Sequence, residues 1–448
     1  MGRFVVAACV CAAVLAACGT GAFACTDDSE CEPGIGGRCE PSGFCSFPDD
    51  ACDSGYRYGD HASDELARQC VDPVAMAATD STGPGTSEDG SGSTTADPTT
   101  TIPIDDGSTG PTCPDWWDCA WPYRRAVTLA PGTIPETLDG FVVPIVLTDV
   151  SDPLRFGPTG YDVRVIAADG SELPFEVDGW GPEGEGVLWA RLPSVDGASA
   201  TVAHVYYGLP DAAPAGDPAL TWSDYAAVWH LTGLADATGH ATDATDEGST
   251  LVQGRFGGGR SFDTTGQRLR VAPTRALADL PADGMTLVAL VRPNSIGVDL
   301  GGRIFDNADG TSATSGLTVM PSQQTMGLEV NRGADVAEGG WHSTEPLAFG
   351  RYNHVVVVLH DEGTAAAWIN GSPLVWAVEE PPMGVPLSDA MADIGIGGAP
   401  YDDTHTFDGV IDELRLVRGV RSEAWVTAQH AVMLAGAVSV GEEESAPP

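Results

Sequence analysis

The chain contains no lysine. All 21 of its cationic side chains are arginines, set against 64 aspartates and glutamates, which gives a formal net charge of -43 over 448 residues. That balance excludes nucleic acid as a partner, because neutralising phosphates needs a basic face. It implies a solvated acidic surface, with divalent cations as the natural counter-partners. Long apolar runs are also missing. Phe4 to Ala17 is too short to span a bilayer, and Ala431 to Val440 is only ten residues. No P-loop, no Ser-His-Asp order and no His-x-x-x-His zinc motif occurs, which removes the common nucleotide, acyl-transfer and metallopeptidase chemistries.

What is present begins with an export signal: Arg3 followed by the apolar run to Ala17. Leu15-Ala16-Ala17-Cys18 resembles the bacterial lipobox. The resemblance implies a signal peptide over 1–17, lipidation of Cys18 and membrane attachment through that N-terminal acyl anchor. Cleavage after Ala22-Phe23-Ala24 is the competing reading. Gly19 stands where the best-known sorting system uses aspartate to retain lipoproteins at the inner membrane. The expected location is therefore the outer membrane or cell surface of a Gram-negative bacterium, and the Ala, Gly, Asp, Arg and Pro bias suggests a high-GC genome.

With Cys9, Cys11 and Cys18 set aside, eight cysteines remain: Cys25, Cys31, Cys39, Cys45, Cys52, Cys70, Cys113 and Cys119. An even number, six of them crowded between 25 and 70, reads as a disulfide framework in a module (18–70) with too little core to fold unaided. Zinc is the alternative. The gaps of five, seven, five, six and seventeen residues include no Cys-x2-Cys pair. Fifteen pairings of those six are open. Residues 71–112, low in complexity and rich in Ser, Thr, Gly, Pro and Asp, form a self-repelling spacer. Its 34-residue core from Thr79 spans ~30–35 Å root-mean-square.

Over 113–210 five strand signals are separated by Gly, Pro and Asp clusters, which predicts a small all-β sandwich. Cys113 and Cys119 are spaced to close a loop around Trp116 and Trp117. Trp-Trp-Asp at 116, Trp-Pro-Tyr-Arg-Arg at 121, Asp162-Val163-Arg164, Leu173-Pro174-Phe175-Glu176, Val187-Leu188-Trp189 and Val205-Tyr206-Tyr207-Gly208 together resemble an exported bacterial domain of unknown function. A linker is placed at 211–220.

Over 221–442 the central stretch is Gly350 to Trp376, which reads as a three-stranded meander with Asn370-Gly371 as a type I′ turn. Val355 to Val358 is apolar without alternation, as expected of a strand covered on both faces. Val228-Trp229-His230-Leu231, Arg255-Phe256-Gly257-Gly258, Ile394-Gly395-Ile396-Gly397 and Phe407-Asp408-Gly409-Val410-Ile411-Asp412-Glu413-Leu414-Arg415-Leu416 resemble a laminin-G-like, concanavalin A-like jelly roll. Ser422 to Leu434 has helical spacing and is expected to cap it. Residues 443–448 are expected to form a disordered tail. The fold class is all-β throughout.

The jelly-roll fold hosts lectins, adhesion modules and glycanases, so the fold leaves chemistry open. The Glu-x-Asp-x-x-Glu motif of its glucanases is absent. Glu176-Val177-Asp178 begins it without a third acid, and Asp412-Glu413, being adjacent, are expected on opposite strand faces. The candidate ligand-binding residues are Trp341, Trp368, Trp376, Tyr401 and His405, with core packing as the alternative. Candidate calcium ligands are Asp236, Asp243 and Asp246 in one loop and Asp402, Asp403 and Asp408 in another. The expectation is a non-catalytic recognition or adhesion protein with a glycan or an envelope protein as ligand. A purely structural envelope role and a glycanase are the rivals.

Overall fold

The computed structural model describes residues 113–447 except 114, 181–184, 197–200, 281–283, 299–300, 309–316, 324, 362 and 385–386. Ahead of these it describes scattered positions from 31 to 71. Cys18, Cys25, the signal peptide and residues 72–112 of the spacer lie outside the described residues. The chain divides into two compact units, 1–105 and 106–448.

In the first unit Arg38–Cys39, Cys45–Pro48 and Tyr56–Tyr58 form an antiparallel three-stranded sheet. Cystines Cys31–Cys45 and Cys52–Cys70 brace it, and Cys39 is disulfide-bonded as well. Among the described residues the core is Tyr58 and Val71 with Phe44, Tyr56 and Leu66 packed against them, a small core for which covalent bracing compensates.

The second unit holds two sandwiches. In the first, Tyr123–Leu129, Thr201–Tyr207 and Arg164–Ala167 form one sheet; Leu138–Thr148, Glu185–Val195 and Phe175–Trp180 form the other. Cystine Cys113–Cys119 closes the loop bearing Trp116 and Trp117, whose rings pack on Tyr206. Residues 438–447 are ordered and belong here, contrary to the disordered tail expected over 443–448. Val438–Val440 and Glu444–Ser445 both pair with Tyr123–Leu129, and Glu443 accepts from Arg155 and Tyr207. Tyr123–Leu129 otherwise has an unpaired edge, and the returning chain satisfies its backbone groups. The expected linker is also tied down: Ala215 N donates to Tyr161 O, and Asp217 caps the short helix Pro218–Thr221.

The second sandwich packs two eight-stranded sheets. One runs Thr250–Gln253, Gly258–Phe262, Gly409–Arg418, Met285–Pro293, Asn353–Leu359, Ala365–Ile369 and Ser372–Pro373, with Tyr225–Trp229 on the Gly409–Arg418 strand. The other runs Ala244–Glu247, Arg268–Val271, Ile394–Ile396, Phe305–Asp306, Leu317–Pro321, Leu328–Arg332, Gly339–Ser343 and Trp376–Glu380. Asn370 and Gly371 both have positive φ, 54° and 76°, as the type I′ turn requires. The third strand of the expected meander is shorter than anticipated. Only Ser372–Pro373 stays in the sheet; the chain then crosses to the opposite one, where the Trp376 indole helps close the core and donates to Ala365 O.

Asn353–Leu359 is buried at every position, and its two faces have different coverings. Val355, Val357 and Leu359 point into the core between the sheets. Val356 and Val358 join a second core, together with Val288, Leu290, Trp368 and Val417, that is continuous with the interior of the first sandwich. The helix Glu423–Met433, capped by Ser422 Oγ accepting from Trp425 N, lies in this seam. It packs against Leu138–Thr148 of one sandwich and Asn353–Leu359 of the other, through Trp425, Val426, Val432 and Met433. The helix therefore caps the join between two sandwiches rather than one of them. Among the described residues no helix is long and apolar enough to cross a membrane.

Candidate functional site

Two places gather polar side chains. The first is the outward face of the second sheet. A single transverse row crosses all eight strands: Thr245, Arg270, Gly395, Asp306, Thr318, Asn331, Gly340 and Glu380. The adjacent row, Leu269, Ile396, Phe305, Val319, Val330 and Trp341, lies in the core. The period-two alternation is what separates them. On the outward face Asn331 Nδ2 donates to Thr318 Oγ1 at 3.3 Å and Glu329 Oε1 at 3.1 Å. Glu329 also faces His342 Nδ1 at 3.1 Å. Beside them Gly340 leaves a notch: an added Cβ there would meet only Asn331 Oδ1, at 3.1 Å. Toward the other end the loop carrying Tyr401 and His405 covers the face. Asp306 is buried there, accepting from Arg303 Nε at 3.0 Å and Ala308 N at 2.8 Å. Burial pushes its carboxyl up to about 6 against the pull of these donors.

The second place is the seam. Glu176 and Asp178 come from the strand Phe175–Trp180, His230 follows Tyr225–Trp229, and Glu413 and Arg415 come from Gly409–Arg418. His230 Nδ1 lies 2.9 Å from both Glu413 oxygens, and its Nε2 lies 3.0 Å from Glu176 Oε2. Trp222 Nε1 donates to the same Glu176 oxygen. Arg415 donates to Glu413 through Nε and Nη2 at 3.1 and 2.6 Å, with its guanidinium over Trp189 and Trp222 at 4.2 and 4.6 Å. Burial opposes charge on His230, but Glu413, Asp178 and Glu176 outweigh it and hold the imidazole well above its ordinary value. Burial pushes Asp178 up to about 6 despite His230.

Asp412 and Glu413 do not lie on opposite faces. Glu413 has φ 54°, and the register with Met285–Pro293 shifts there, so an extra residue bulges the strand. Ile411 and Leu414 both enter the core, while Asp412 accepts from Arg255 N and Phe256 N and Glu413 meets His230. The bulge brings Glu413 to the Glu176–Asp178 pair, giving three carboxylates in one place. The side chains of Glu176, Asp178 and Glu413 are only 11%, 3% and 0% exposed, so no glycoside has access to them.

The residues expected to bind ligand are dispersed. Trp341 is wholly buried between the sheets. Trp368 does leave the core that Ile369 enters, but it is buried in the seam. Both are packing residues, because the strand faces they occupy are covered. Trp376 is a partly buried edge residue. Tyr401 is exposed, with its ring 6.2 Å from that of His405.

The acidic loops do not converge either. Asp236 accepts from Val228 N and Thr238, Asp243 from Asp236 N, and Asp246 from Ser249 and Arg260. Asp402 accepts from Thr404, Asp403 pairs with Arg268, and Asp408 accepts from Asn294 and Ser295. Among the described residues the one trio of His and carboxylate atoms within 4.8 Å of each other is Asp178, His230 and Glu413. A cleft of about 660 Å³, bordered by Tyr225, His240, Thr274, Arg275 and Arg418, lies elsewhere. Its one carboxylate, Asp224, is taken up by Arg191 and Arg421.

Sequence reasoning did not single out His230, Arg415, Trp189 or Trp222 as a site. The available signal was the charged Asp412-Glu413-x-Arg415 inside an otherwise apolar strand, since buried charges demand partners.

An all-β chain of two joined sandwiches is the class this geometry defines. Residues 159–232 match the family model of the Domain of unknown function (DUF2341). Residues 263–427 match that of the concanavalin A-like lectin/glucanases superfamily. The chain thus shows a match to the first model followed by a match to the second; Glu176, Asp178 and His230 of the seam cluster lie in the first matched segment, and Glu413 and Arg415 in the second. No curated protein sequence matches it.

Among solved structures the chain is similar to Domain 4 of AbnA, a GH43 extracellular arabinanase from Geobacillus stearothermophilus, in complex with arabinotriose. The identity is 17% over 46% of this chain and 97% of that one, at TM-score 0.36. It is also similar to the binding domain of Paraclostridial Mosquitocidal Protein 1, at 11% identity, 46% and 52% coverage and TM-score 0.38. A third is the binding domain of Botulinum Neurotoxin DC in complex with SialylT, at 11%, 47% and 52% coverage and TM-score 0.36. The chain spans about half the length of both toxin binding domains, and at these scores none of the three bears on what it does.

Proposed function

We propose that this chain is an exported, acyl-anchored recognition protein of the cell envelope, without catalytic activity, and that it binds glycan on the outward face of the second jelly-roll sheet. The observation that carries the reading is the polar group Thr318, Glu329, Asn331 and His342 around the Gly340 notch, beside a sheet whose other partner is sealed against the first sandwich. Hydroxyl-rich ligands are recognised by such mixed donors and acceptors on a rigid strand surface.

A glycan array of the purified full chain, run with and without added calcium, tests it. Binding should fall at least about tenfold in Asn331→Ala and Glu329→Ala. Binding that survives both changes moves the site elsewhere on the molecule, with Tyr401 and His405 next in line. No binding under either condition sinks the glycan reading in favour of protein contact. Cys18→Ser should release the protein from membranes, and retention would remove the anchor from the proposal.

A further inference from the structure

We propose that Asp178, His230 and Glu413 bind one zinc-class divalent cation in the seam, and that the ion pins the two sandwiches together. The three ligand atoms come from three elements on both sides of the seam, all within 4.8 Å of one another. The Nδ1 to oxygen separations are 2.9 Å to Glu413 and 3.9 Å to Asp178, bracketing the edge of about 3.3 Å that ~2.0–2.1 Å bonds give in a tetrahedral site.

The independent sign is Asp178 Oδ2. It is buried, makes no well-formed hydrogen bond among the described residues although the Thr232 hydroxyl lies beside the carboxyl, and faces His230, an arrangement that leaves a desolvated carboxylate oxygen poorly compensated. The surroundings resemble an outer shell. His230 Nε2–H donates to Glu176, whose same oxygen accepts from Trp222, so the ring is oriented with Nδ1 toward Asp178 and Glu413. Arg415 orients Glu413.

Charge argues the same way. Glu176, Asp178 and Glu413 surround a single buried imidazole, and the one guanidinium among them, Arg415, is engaged by Glu413. On binding, the metal takes the Nδ1 lone pair, the Nδ1 proton leaves to solvent, and the two positive charges replace that one. An imidazole nitrogen among the ligands favours zinc or cobalt over calcium, which prefers oxygen throughout.

The test uses the purified full chain, stripped with a chelator and titrated with Zn²⁺ alone. The expected result is one zinc per chain with a higher Tm on loading. Asp178→Asn should abolish that equivalent, and Glu176→Gln, a positioning residue, should weaken it about 10–100-fold. Asp402→Asn should leave it unchanged. A stripped chain that takes up no zinc, or an Asp178→Asn chain that binds as wild type does, overturns the proposal. If Asp178→Asn fails to fold, Co²⁺ added to the stripped wild-type chain decides. One equivalent should give a visible absorption band that Zn²⁺ removes, and absence of the band overturns the proposal equally.

Discussion

The two sheets of the jelly roll obey the same period-two alternation and end in opposite environments. The sheet containing Asn353–Leu359 is apolar on its outer side as well, at Val288, Leu290, Val356, Val358 and Trp368, because the first sandwich and the helix Glu423–Met433 cover it. The sheet containing Leu328–Arg332 carries Thr318, Glu329, Asn331 and His342 on its outer side. A face that alternates is half exposed, whereas one that does not is covered twice. The difference is a sealed join on one side of the molecule and a polar, partly exposed face on the other.

The largest expected effect breaks the sealed side. Trp368→Ala removes a large buried side chain from the seam and should cost about 3–5 kcal/mol, read as a lower urea midpoint at unchanged m. A cost under about 1 kcal/mol would mean that the sandwiches are not packed as a unit. The seam and the covered end of the other sheet also titrate with opposite sign. His354, buried on the seam side near His430 and Arg415, is pushed down to about 3 chiefly by burial. Its stabilising contribution is present above about 6.5 and is lost as the pH falls through the folded value. Asp306, raised to about 6, contributes stability that is present at low pH and is lost as the pH rises through 6. Tm measured against pH should therefore lose its acid-side fall in His354→Leu and its fall near pH 6 in Asp306→Asn. Superimposable profiles for variants and wild type would show that neither group titrates as stated.

A smaller effect concerns the turn that sets the register of the seam-side hairpin. Gly371→Ala places a Cβ at φ 76° and 2.8 Å from His430 Cδ2, and should cost about 1–2 kcal/mol. Equal stability would mean that the helix shifts away without loss.

The hairpin was legible because Asn-Gly carries its own conformational requirement, and the twice-covered strand because four consecutive valines cannot be half exposed. What covered it was not legible: nothing local in Val356 or Val358 says whether a second sheet or another domain lies above. The shared place of Asp412 and Glu413 was hidden for a related reason. Adjacent strand residues diverge unless a bulge intervenes, and the bulge at Glu413 follows from its tertiary partners His230 and Arg415 rather than from a glycine or turn residue. Likewise Glu443 and Glu444 read as a charged, featureless end, and partners far earlier in the chain give them order: Arg155 and Tyr207 for Glu443, the open edge of Tyr123–Leu129 for Glu444. The candidate tryptophans failed as ligand residues because strand alternation tells which two faces a residue chooses between, and not which face is open.

The smallest expected change in stability is the one that separates the two sheets most sharply. Asn331→Ala lies on the outward face, where among the described residues its amide donates to Thr318 and Glu329, so its cost should stay within about 0.5 kcal/mol. The same substitution should reduce glycan binding at least about tenfold, since it removes donor and acceptor capacity where no replacement stands. If stability drops by several kcal/mol instead, the outward face is also a packing surface, covered in the assembled protein by something other than water. If both stability and binding are unchanged, the polar row is merely solvated surface, and the recognition site has to be sought at the exposed Tyr401 end of the sheet.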